Sequence, residues 1–97
     1  MNIVFTDTAL IDLDSIYFFR ERLTAQRVVE AILKEIKILE THPEAAPRDE
    51  LFTDQSKIIR SLVVAKGWYK VLYFTEEKFV YIVRIWDCRQ NLENIQK

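Results

Sequence analysis

The sequence predicts an α+β fold in which two helices pack on one face of a small, mainly antiparallel sheet. Two observations predict this class. Apolar residues in the first half recur every three to four positions, whereas the second half holds β-branched and aromatic runs separated by short turns. With 97 residues, 49% of them hydrophobic, the chain has room for one compact core, so residues 1–97 are assigned to a single domain.

A short apolar strand, Asn2 to Phe5, opens the chain, and a helix is predicted to begin near Asp7 after the capping side chain of Thr6. Its buried face is predicted from helical spacing to hold Leu10, Leu13, Ile16 and Tyr17. Phe18 and Phe19 widen the apolar surface, so the helix is either covered on two sides or presents aromatic side chains to a partner. We interpret the pair as part of the core.

A second helix is predicted to be capped by Thr24. Its apolar stripe holds Val28, Val29, Ile32, Leu33, Ile36 and Leu39. The helix is expected to end near Thr41, because Pro43 disfavours helical backbone angles at His42. His42 is therefore interpreted as an exposed or capping residue, and the following Pro43 to Pro47 segment as a turn.

Three strands are predicted at Ile58 to Val64, Trp68 to Thr75 and Phe79 to Trp86. The connections are so short that neighbouring strands must run antiparallel. The third strand is apolar on nearly both faces, which places it in the centre of the sheet. Arg84 lies within it, so this charge must be paired or must project into a cleft. The helices are expected to cover one sheet face and to leave the other available for function.

Cysteine, histidine and hydropathy exclude several classes of protein. One cysteine, Cys88, excludes an intramolecular disulfide, and one histidine, His42, excludes a zinc module, so no metal or cofactor is predicted. No apolar run reaches the roughly 18 residues of a membrane span. Asp7 lies where a secretory signal would be basic or apolar. We therefore expect a cytoplasmic protein with no membrane partner.

The charge is unevenly distributed along the chain. Residues 1–54 hold 6 Lys/Arg and 11 Asp/Glu, a net charge of −5, whereas residues 55–97 hold 8 and 4, a net charge of +4. This asymmetry indicates an anionic partner for the C-terminal half or a cationic partner for the N-terminal half. Segregation of charge between helices and strands explains it equally well.

Several segments carry a family resemblance: Ile3 to Phe5 with Leu10 to Phe18, the helix ending Leu39 to Pro43, the strand Trp68 to Tyr73, and the closing stretch Tyr81 to Asn91. The closing stretch is the most specific, with Arg84 inside the strand and Arg89 just after it. In these residues, in length and in element order, the chain resembles the RelE/ParE superfamily of toxins from bacterial type II toxin–antitoxin systems.

The resemblance implies a growth-inhibiting toxin that a cognate antitoxin holds inactive, in a complex that is a higher oligomer. Members of the superfamily differ in target. RelE-like members cleave mRNA in the ribosomal A site, whereas ParE-like members bind and poison DNA gyrase. We lean to the ParE-like mechanism; ribosome-dependent cleavage and a non-toxic protein-binding domain of the same fold stay open.

If the chain is a ribonuclease, the catalytic candidates are Arg60, Arg84, Asp87 and Arg89. The arginines would stabilise the developing charge on the phosphate, and Asp87 would act as a base or an orienting carboxylate. Two features weigh against this. Many ribonuclease members carry a His or Tyr where this chain has Asp87-Cys88-Arg89, and a pI near 5.8 is low for a protein that docks on ribosomal RNA.

The residues predicted to bind a partner or target are Lys66, Tyr69, Lys70, Arg84, Arg89 and Gln90. Tyr69 and Tyr73 could stack on bases, although aromatic residues in a small sheet are usually core. The lysines also fit solvated charges at a sheet edge. An ion pair between Asp87 and Arg89 that holds the end of the chain would explain Arg89 without any catalysis.

Overall fold

The structure, a computed structural model, describes residues 1–52 and 56–89. Its elements are β1 (Asn2–Phe5), α1 (Asp7–Phe19), α2 (Arg22–Ile36), β2 (Arg60–Val64), β3 (Tyr69–Glu76) and β4 (Phe79–Asp87), with 3₁₀ turns at Lys37–Glu40 and Ala65–Gly67. The strands form one sheet in the order β1-β4-β3-β2. β1 runs parallel to β4, and the other neighbours are antiparallel. The predicted α+β class, element order and central position of the last strand are confirmed.

Each helix end has a local cause. Thr6 caps α1, because its Oγ1 accepts the backbone N–H of Ala9 at 3.2 Å. The predicted Thr24 cap of α2 is wrong, since that helix already begins at Arg22. Arg20 leaves the helical conformation at φ −134° and ψ 153°, so α2 starts after a very short turn. α2 itself ends at Ile36, and the 3₁₀ turn that follows ends at Glu40, next to the predicted end near Thr41.

The core lies between the helices and one face of the sheet. Its buried side chains include Ala9, Ile16, Ala25, Ile32, Ile36, Leu39, Val71, Tyr73, Val80, Ile82 and Ile85. Most of the predicted α2 stripe is confirmed, but Leu33 is exposed. The Tyr73 hydroxyl donates to the Pro43 carbonyl at 2.9 Å, and burial raises the pKa of this phenol. Tyr73 is therefore a core residue and not a surface for base stacking.

The predicted buried face of α1 is wrong in half of its positions. Leu10 and Tyr17 are exposed, whereas Ala9 and Ile16 are buried. Apolar residues occur almost all around this helix, so their periodicity does not select a face. Contact with the sheet selects it instead, and small Ala9 allows a close approach.

The aromatic pair at the end of α1 also departs from expectation. Phe18 is 85% exposed and Phe19 is 84% exposed. The interpretation of both as core residues is wrong, and the alternative that α1 presents aromatic side chains to a partner agrees with the structure.

The sheet face away from the helices is not free either. Leu72 is buried and points away from the helices by the alternation along β3. The segment before β2 lies along the β2 edge of the sheet, where the Asp49 backbone N–H donates to the Ile59 carbonyl at 2.7 Å. Lys70 Nζ lies 3.3 Å from Asp49 Oδ2. The expectation of an open functional face is therefore wrong around these residues.

β1 pairs with β4 only as far as Ile82, and α1 lies along the next part of that edge. The Thr6 hydroxyl donates to the Val83 carbonyl at 3.3 Å. One helical turn and a half later, Asp12 Oδ2 accepts the backbone N–H of Ile85 at 2.8 Å. The cap Thr6 and Asp12 of α1 thus bond backbone groups of β4 that a neighbouring strand would otherwise pair. A cleft lies between α1 and the end of β4.

Candidate functional site

Three arginines from separate parts of the chain meet where β3 begins and β4 ends. Arg20 follows α1, Arg84 lies in β4, and Arg89 follows β4. The sheet register brings the start of β3 beside the end of β4, with Tyr69 opposite Asp87. We define the arginine–tryptophan cluster as Arg20, Trp68, Tyr69, Arg84, Trp86, Asp87 and Arg89.

Trp68 is the exposed aromatic residue of this cluster, with 44% of its surface accessible. The Arg20 Cζ lies 4.7 Å from the indole ring, and the Arg89 Cζ lies 5.2 Å from it. Guanidinium groups at this distance are attracted to the negative face of an indole. Two cations are therefore held against one accessible aromatic surface.

The turn that carries Trp68 has an unusual backbone. Ala65, Lys66 and Gly67 have φ values of 53°, 58° and 92°, so three consecutive residues are left-handed. This conformation is easy for glycine and costly for the other two residues. The Ala65 backbone N–H donates to Glu35 Oε2 on α2 at 3.0 Å, which ties the strained turn to the helices.

Arg20 organises the inner part of the cluster. Its Nε donates to the Tyr69 hydroxyl at 3.0 Å, and its Nη2 is buried with no hydrogen-bond partner among the described residues. Tyr69 is buried, so its ring is unavailable for base stacking and its hydroxyl holds Arg20 instead. Arg20 is not among the site residues predicted from the sequence, because Tyr69 lies 49 residues away and no local pattern marks the pair.

Arg84 owes its orientation to a β-bulge. Tyr73 pairs with Ile82 and Leu72 with Arg84, which leaves Val83 as the extra residue. Regular alternation along β4 would place Arg84 on the same face as the buried Ile82, but the bulge moves Arg84 off the core face.

The guanidinium of Arg84 makes a bidentate pair with a carboxylate of α1. Its Nε and Nη2 lie 2.8 and 3.2 Å from the Asp12 oxygens, and its Cζ lies 5.3 Å from the Trp86 ring. Both predicted possibilities for this charge agree with the structure, since Arg84 is paired with Asp12 and also lines the cleft between α1 and β4.

Asp87 and Arg89 form the expected ion pair. Arg89 Nε and Nη2 lie 3.1 and 2.9 Å from the Asp87 carboxylate, and the Arg89 backbone N–H adds a third bond at 2.9 Å. Burial raises the pKa of Asp87, but the hydrogen bonds from Arg89 outweigh burial and bring the pKa below its usual value. The carboxylate is ionised and occupied at neutral pH. Burial raises the pKa of the neighbouring Cys88 thiol, which therefore stays protonated.

The cleft beside β4 measures about 240 Å³ and opens to solvent. Its walls include Ser15, Phe19, Tyr69, Arg84 and Trp86. Pockets for small-molecule ligands are usually larger, roughly 300 to 1,000 Å³. The cleft is suited to a side chain of a partner, with apolar and aromatic walls and guanidinium groups at its rim.

The other predicted site residues do not join the cluster. Arg60 donates to the Ala46 carbonyl at 2.8 Å and lies at the far end of β2. It is four residues, about 13 Å, from Val64, the partner of Tyr69. Lys70 lies opposite Trp86 in the sheet register, but its ammonium group is held by Asp49. Neither Arg60 nor Lys70 lines the cleft.

Two predicted binding residues remain to be placed. Lys66 is exposed in the strained turn next to Trp68, where it is available to a partner. Gln90 lies outside the described residues.

Within residues 1–52 and 56–89, no group of three or more His, Cys, Asp or Glu side chains could hold a metal ion. Across the same ranges, no helix is long and apolar enough to cross a membrane.

Comparisons with known proteins give a family and a fold. A family model described as the ParE toxin of type II toxin–antitoxin systems, parDE, matches residues 3–92. A solved structure titled as a chromosomal ParDE TA system from P. aeruginosa is similar, with a TM-score of 0.74 and 24% identity over 90% of this chain and 95% of that chain. No curated protein matches the sequence. The structural likeness confirms the predicted fold.

Proposed function

Because the chain belongs to the ParE family of toxins from type II toxin–antitoxin systems, we propose that it arrests bacterial growth by binding DNA gyrase without catalysing a reaction. The observation that supports this mechanism is the state of the cluster's acid–base groups. The groups that could transfer a proton, Asp87 and the Tyr69 hydroxyl, are both engaged in hydrogen bonds with arginines, and the pKa of Asp87 is lowered.

A ribonuclease of this kind needs a group that accepts the 2′-hydroxyl proton and a group that protonates the leaving oxygen. Asp87 is a weak base, since both its oxygens accept bonds from Arg89 and its pKa is lowered. The Tyr69 hydroxyl is buried against Arg20. The one histidine, His42, contacts Thr41 beyond the end of α2 and does not line the cleft.

The same groups suit binding. Exposed tryptophan and arginine side chains are over-represented among the residues that dominate protein–protein affinity. Asp12, the Tyr69 hydroxyl and Asp87 each hold one guanidinium of the cluster in place. A partner therefore loses less side-chain entropy on binding than it would with free arginines. An acidic surface of a protein target is the complement of this arrangement.

One observation favours the second candidate, ribosome-dependent mRNA cleavage. An accessible indole beside two guanidinium groups is also a surface on which an RNA base can stack. The two candidates act on different macromolecules, DNA gyrase and mRNA. A gyrase assay and an mRNA cleavage assay therefore distinguish them.

The test measures how strongly the chain inhibits plasmid supercoiling by purified gyrase. The wild-type chain is expected to inhibit supercoiling, and Arg89→Ala is expected to weaken inhibition by about tenfold or more, as the loss of a central interface residue does. Lys78→Ala, a change of an exposed cation in the β3–β4 turn, is the matched control and should leave inhibition unchanged. Cleavage of ribosome-bound mRNA without any effect on gyrase would establish the ribonuclease instead.

In cells, Arg84→Ala and Arg89→Ala are expected to abolish growth arrest while the chain stays folded. Full toxicity of both variants would show that the cluster is not the working surface. Absence of growth arrest by the wild-type chain would favour the non-toxic binding domain. We further propose that the cognate antitoxin neutralises the toxin in the cytoplasm as part of a higher oligomer.

A further inference from the structure

A hollow of about 350 Å³ lies between α2 and the turn that precedes β3. We define the α2 pocket by the residues that line it: Thr24, Arg27, Val28, Ala31, Ala65, Lys66 and Trp68. It shares no lining residue with the cleft beside β4. Its volume falls in the range of roughly 300 to 1,000 Å³ that is usual for small-molecule sites. The α2 pocket is therefore large enough for a compact ligand.

Small side chains on two fixed elements make the α2 pocket. Thr24, Val28 and Ala31 follow one another at helical spacing along one side of α2. Ala31 and Ala65 leave space that longer side chains would fill. The turn keeps its left-handed backbone because Glu35 Oε2 accepts the Ala65 backbone N–H at 3.0 Å. Strained backbone that the surroundings hold in place is common at functional sites.

Trp68 gives the α2 pocket an aromatic wall, and 44% of this residue is exposed. An accessible indole offers a flat surface on which another ring can stack. The apolar lining does not continue along the outside of α2, where the neighbouring exposed side chains are the polar Gln26, Glu30 and Lys34. The pocket therefore suits a compact ring system better than a long apolar segment.

The charges around the α2 pocket are positive. Arg27 and Lys66 line it and are exposed, and neither has an ion pair among the residues that the structure describes. No acidic side chain is among the described residues that line the pocket. The Cζ atoms of Arg20 and Arg89 lie 4.7 and 5.2 Å from the Trp68 ring and add to the positive potential. An anion is the complement of this surface.

We propose that the α2 pocket binds a small aromatic anion. Its ring lies against Trp68 and the two alanines, and its carboxylate or phosphate lies at Arg27 and Lys66. An inorganic anion would leave the apolar lining in water, and a neutral ring would leave both cations without a partner. The site is additional to the proposed gyrase-binding cluster and does not depend on that function. Trp68 belongs to both surfaces, so the indole reports on occupancy of the pocket.

Three probes separate the contributions of ring and charge. Naphthoate has both, naphthamide keeps the ring without the charge, and acetate keeps the charge without the ring. Each is titrated into the isotope-labelled full chain, and the indole N–H resonance of Trp68 gives the dissociation constant. The chain has two tryptophans, so the spectrum of Trp68→Phe identifies this resonance. Naphthoate is expected to bind roughly three- to tenfold tighter than naphthamide, the range that exposed ion pairs supply. Acetate should give no saturable shift.

Variants of the chain locate the site. Ala31→Leu fills the hollow and is expected to weaken naphthoate binding by about tenfold or more. The double variant R27A/K66A should lower the affinity for naphthoate to that for naphthamide, while the affinity for naphthamide stays unchanged. K34A/K78A removes two exposed cations that do not line the pocket, so it is the matched control with no expected effect.

Four results would refute the proposal. They are no saturable shift of the Trp68 resonance with naphthoate, equal affinity for naphthoate and naphthamide, affinity that Ala31→Leu leaves unchanged, or equal losses in R27A/K66A and K34A/K78A. The dispersion of the amide resonances shows whether each variant is folded. If Ala31→Leu does not fold, R27A/K66A decides, since both of its side chains are exposed. Binding is measured without gyrase, so failure of the proposed function does not change the result.

Discussion

The arginine–tryptophan cluster and the outer face of α1 differ in whether other side chains of the chain contact them. The outer face consists of the exposed residues Asp7, Leu10, Ile11, Asp14, Tyr17 and Phe18. In the cluster, Arg84 and Arg89 are bound by aspartates and Arg20 by a tyrosine hydroxyl. On the outer face, aromatic and aliphatic side chains lie in solvent beside two aspartates without ion-pair partners among the described residues. Substitutions in the cluster are therefore expected to change stability as well as function, whereas substitutions on the outer face of α1 are expected to leave stability nearly unchanged.

Asp12→Ala is expected to have the largest effect on stability. It leaves both Arg84 and the Ile85 backbone N–H without their acceptor, at a cost of about 2 to 3 kcal/mol in the free energy of unfolding. Urea denaturation measures this loss. Asp14→Ala, two residues along the same helix, is the matched control and should change stability by no more than about 0.5 kcal/mol. Equal effects of the two variants would remove the distinction between the regions.

Arg20→Ala comes next. It removes the bond to the Tyr69 hydroxyl and the contact with the Trp68 ring, so we expect a loss of about 1 to 2 kcal/mol and a loss of toxicity. Arg20→Lys should restore little, since an ammonium group lacks the planar fork that makes both contacts. Thermal unfolding, the emission spectrum of the tryptophans and a growth assay measure these effects. A fully toxic Arg20→Ala variant with unchanged emission would contradict the organising role of Arg20.

The pH dependence of stability gives a smaller effect. Burial raises the pKa of Asp87, but the hydrogen bonds from Arg89 lower it by more, so the folded value lies below the unfolded value near 3.8. The stabilisation is therefore present above pH 3.8 and is lost as the pH falls through the folded value. Asp87→Asn should flatten this part of the acid unfolding curve. An identical curve for the variant would show that the ion pair contributes nothing.

The smallest effect on stability is expected for Phe18→Ser. Its side chain already lies in solvent, so the free energy of unfolding should change by no more than about 0.5 kcal/mol. Urea denaturation beside the Asp12→Ala variant places both values on one scale. A loss above about 1 kcal/mol would mean that the chain itself covers this side chain.

Much of the fold could be predicted from local patterns. The strands from Arg60 to Asp87 are β-branched and aromatic and are separated by short turns, so their order and direction follow from the sequence. The start of α1 follows from Thr6, a capping side chain next to an apolar helix. These features depend on neighbours within a few residues.

Features that depend on distant neighbours could not be predicted in this way. The bulge at Val83 reverses the side of Arg84, and only the register with β3 reveals it. Arg20 acquires its place from Tyr69, 49 residues away. The buried face of α1 could not be predicted either, because apolar residues occur on several sides of the helix. Contact with the sheet decides that Ala9 and Ile16 are buried while Leu10 and Tyr17 are exposed.

The order in which DNA and protein synthesis stop after induction tests the central claim most directly. Pulse labelling is done in cells that express the wild-type chain, Arg89→Ala or Asp14→Lys. We predict that DNA synthesis stops first with the wild-type chain and with Asp14→Lys, and that neither synthesis stops with Arg89→Ala. Early arrest of protein synthesis with cut mRNA in wild-type cells would contradict the account and identify the cluster as the site of a ribonuclease.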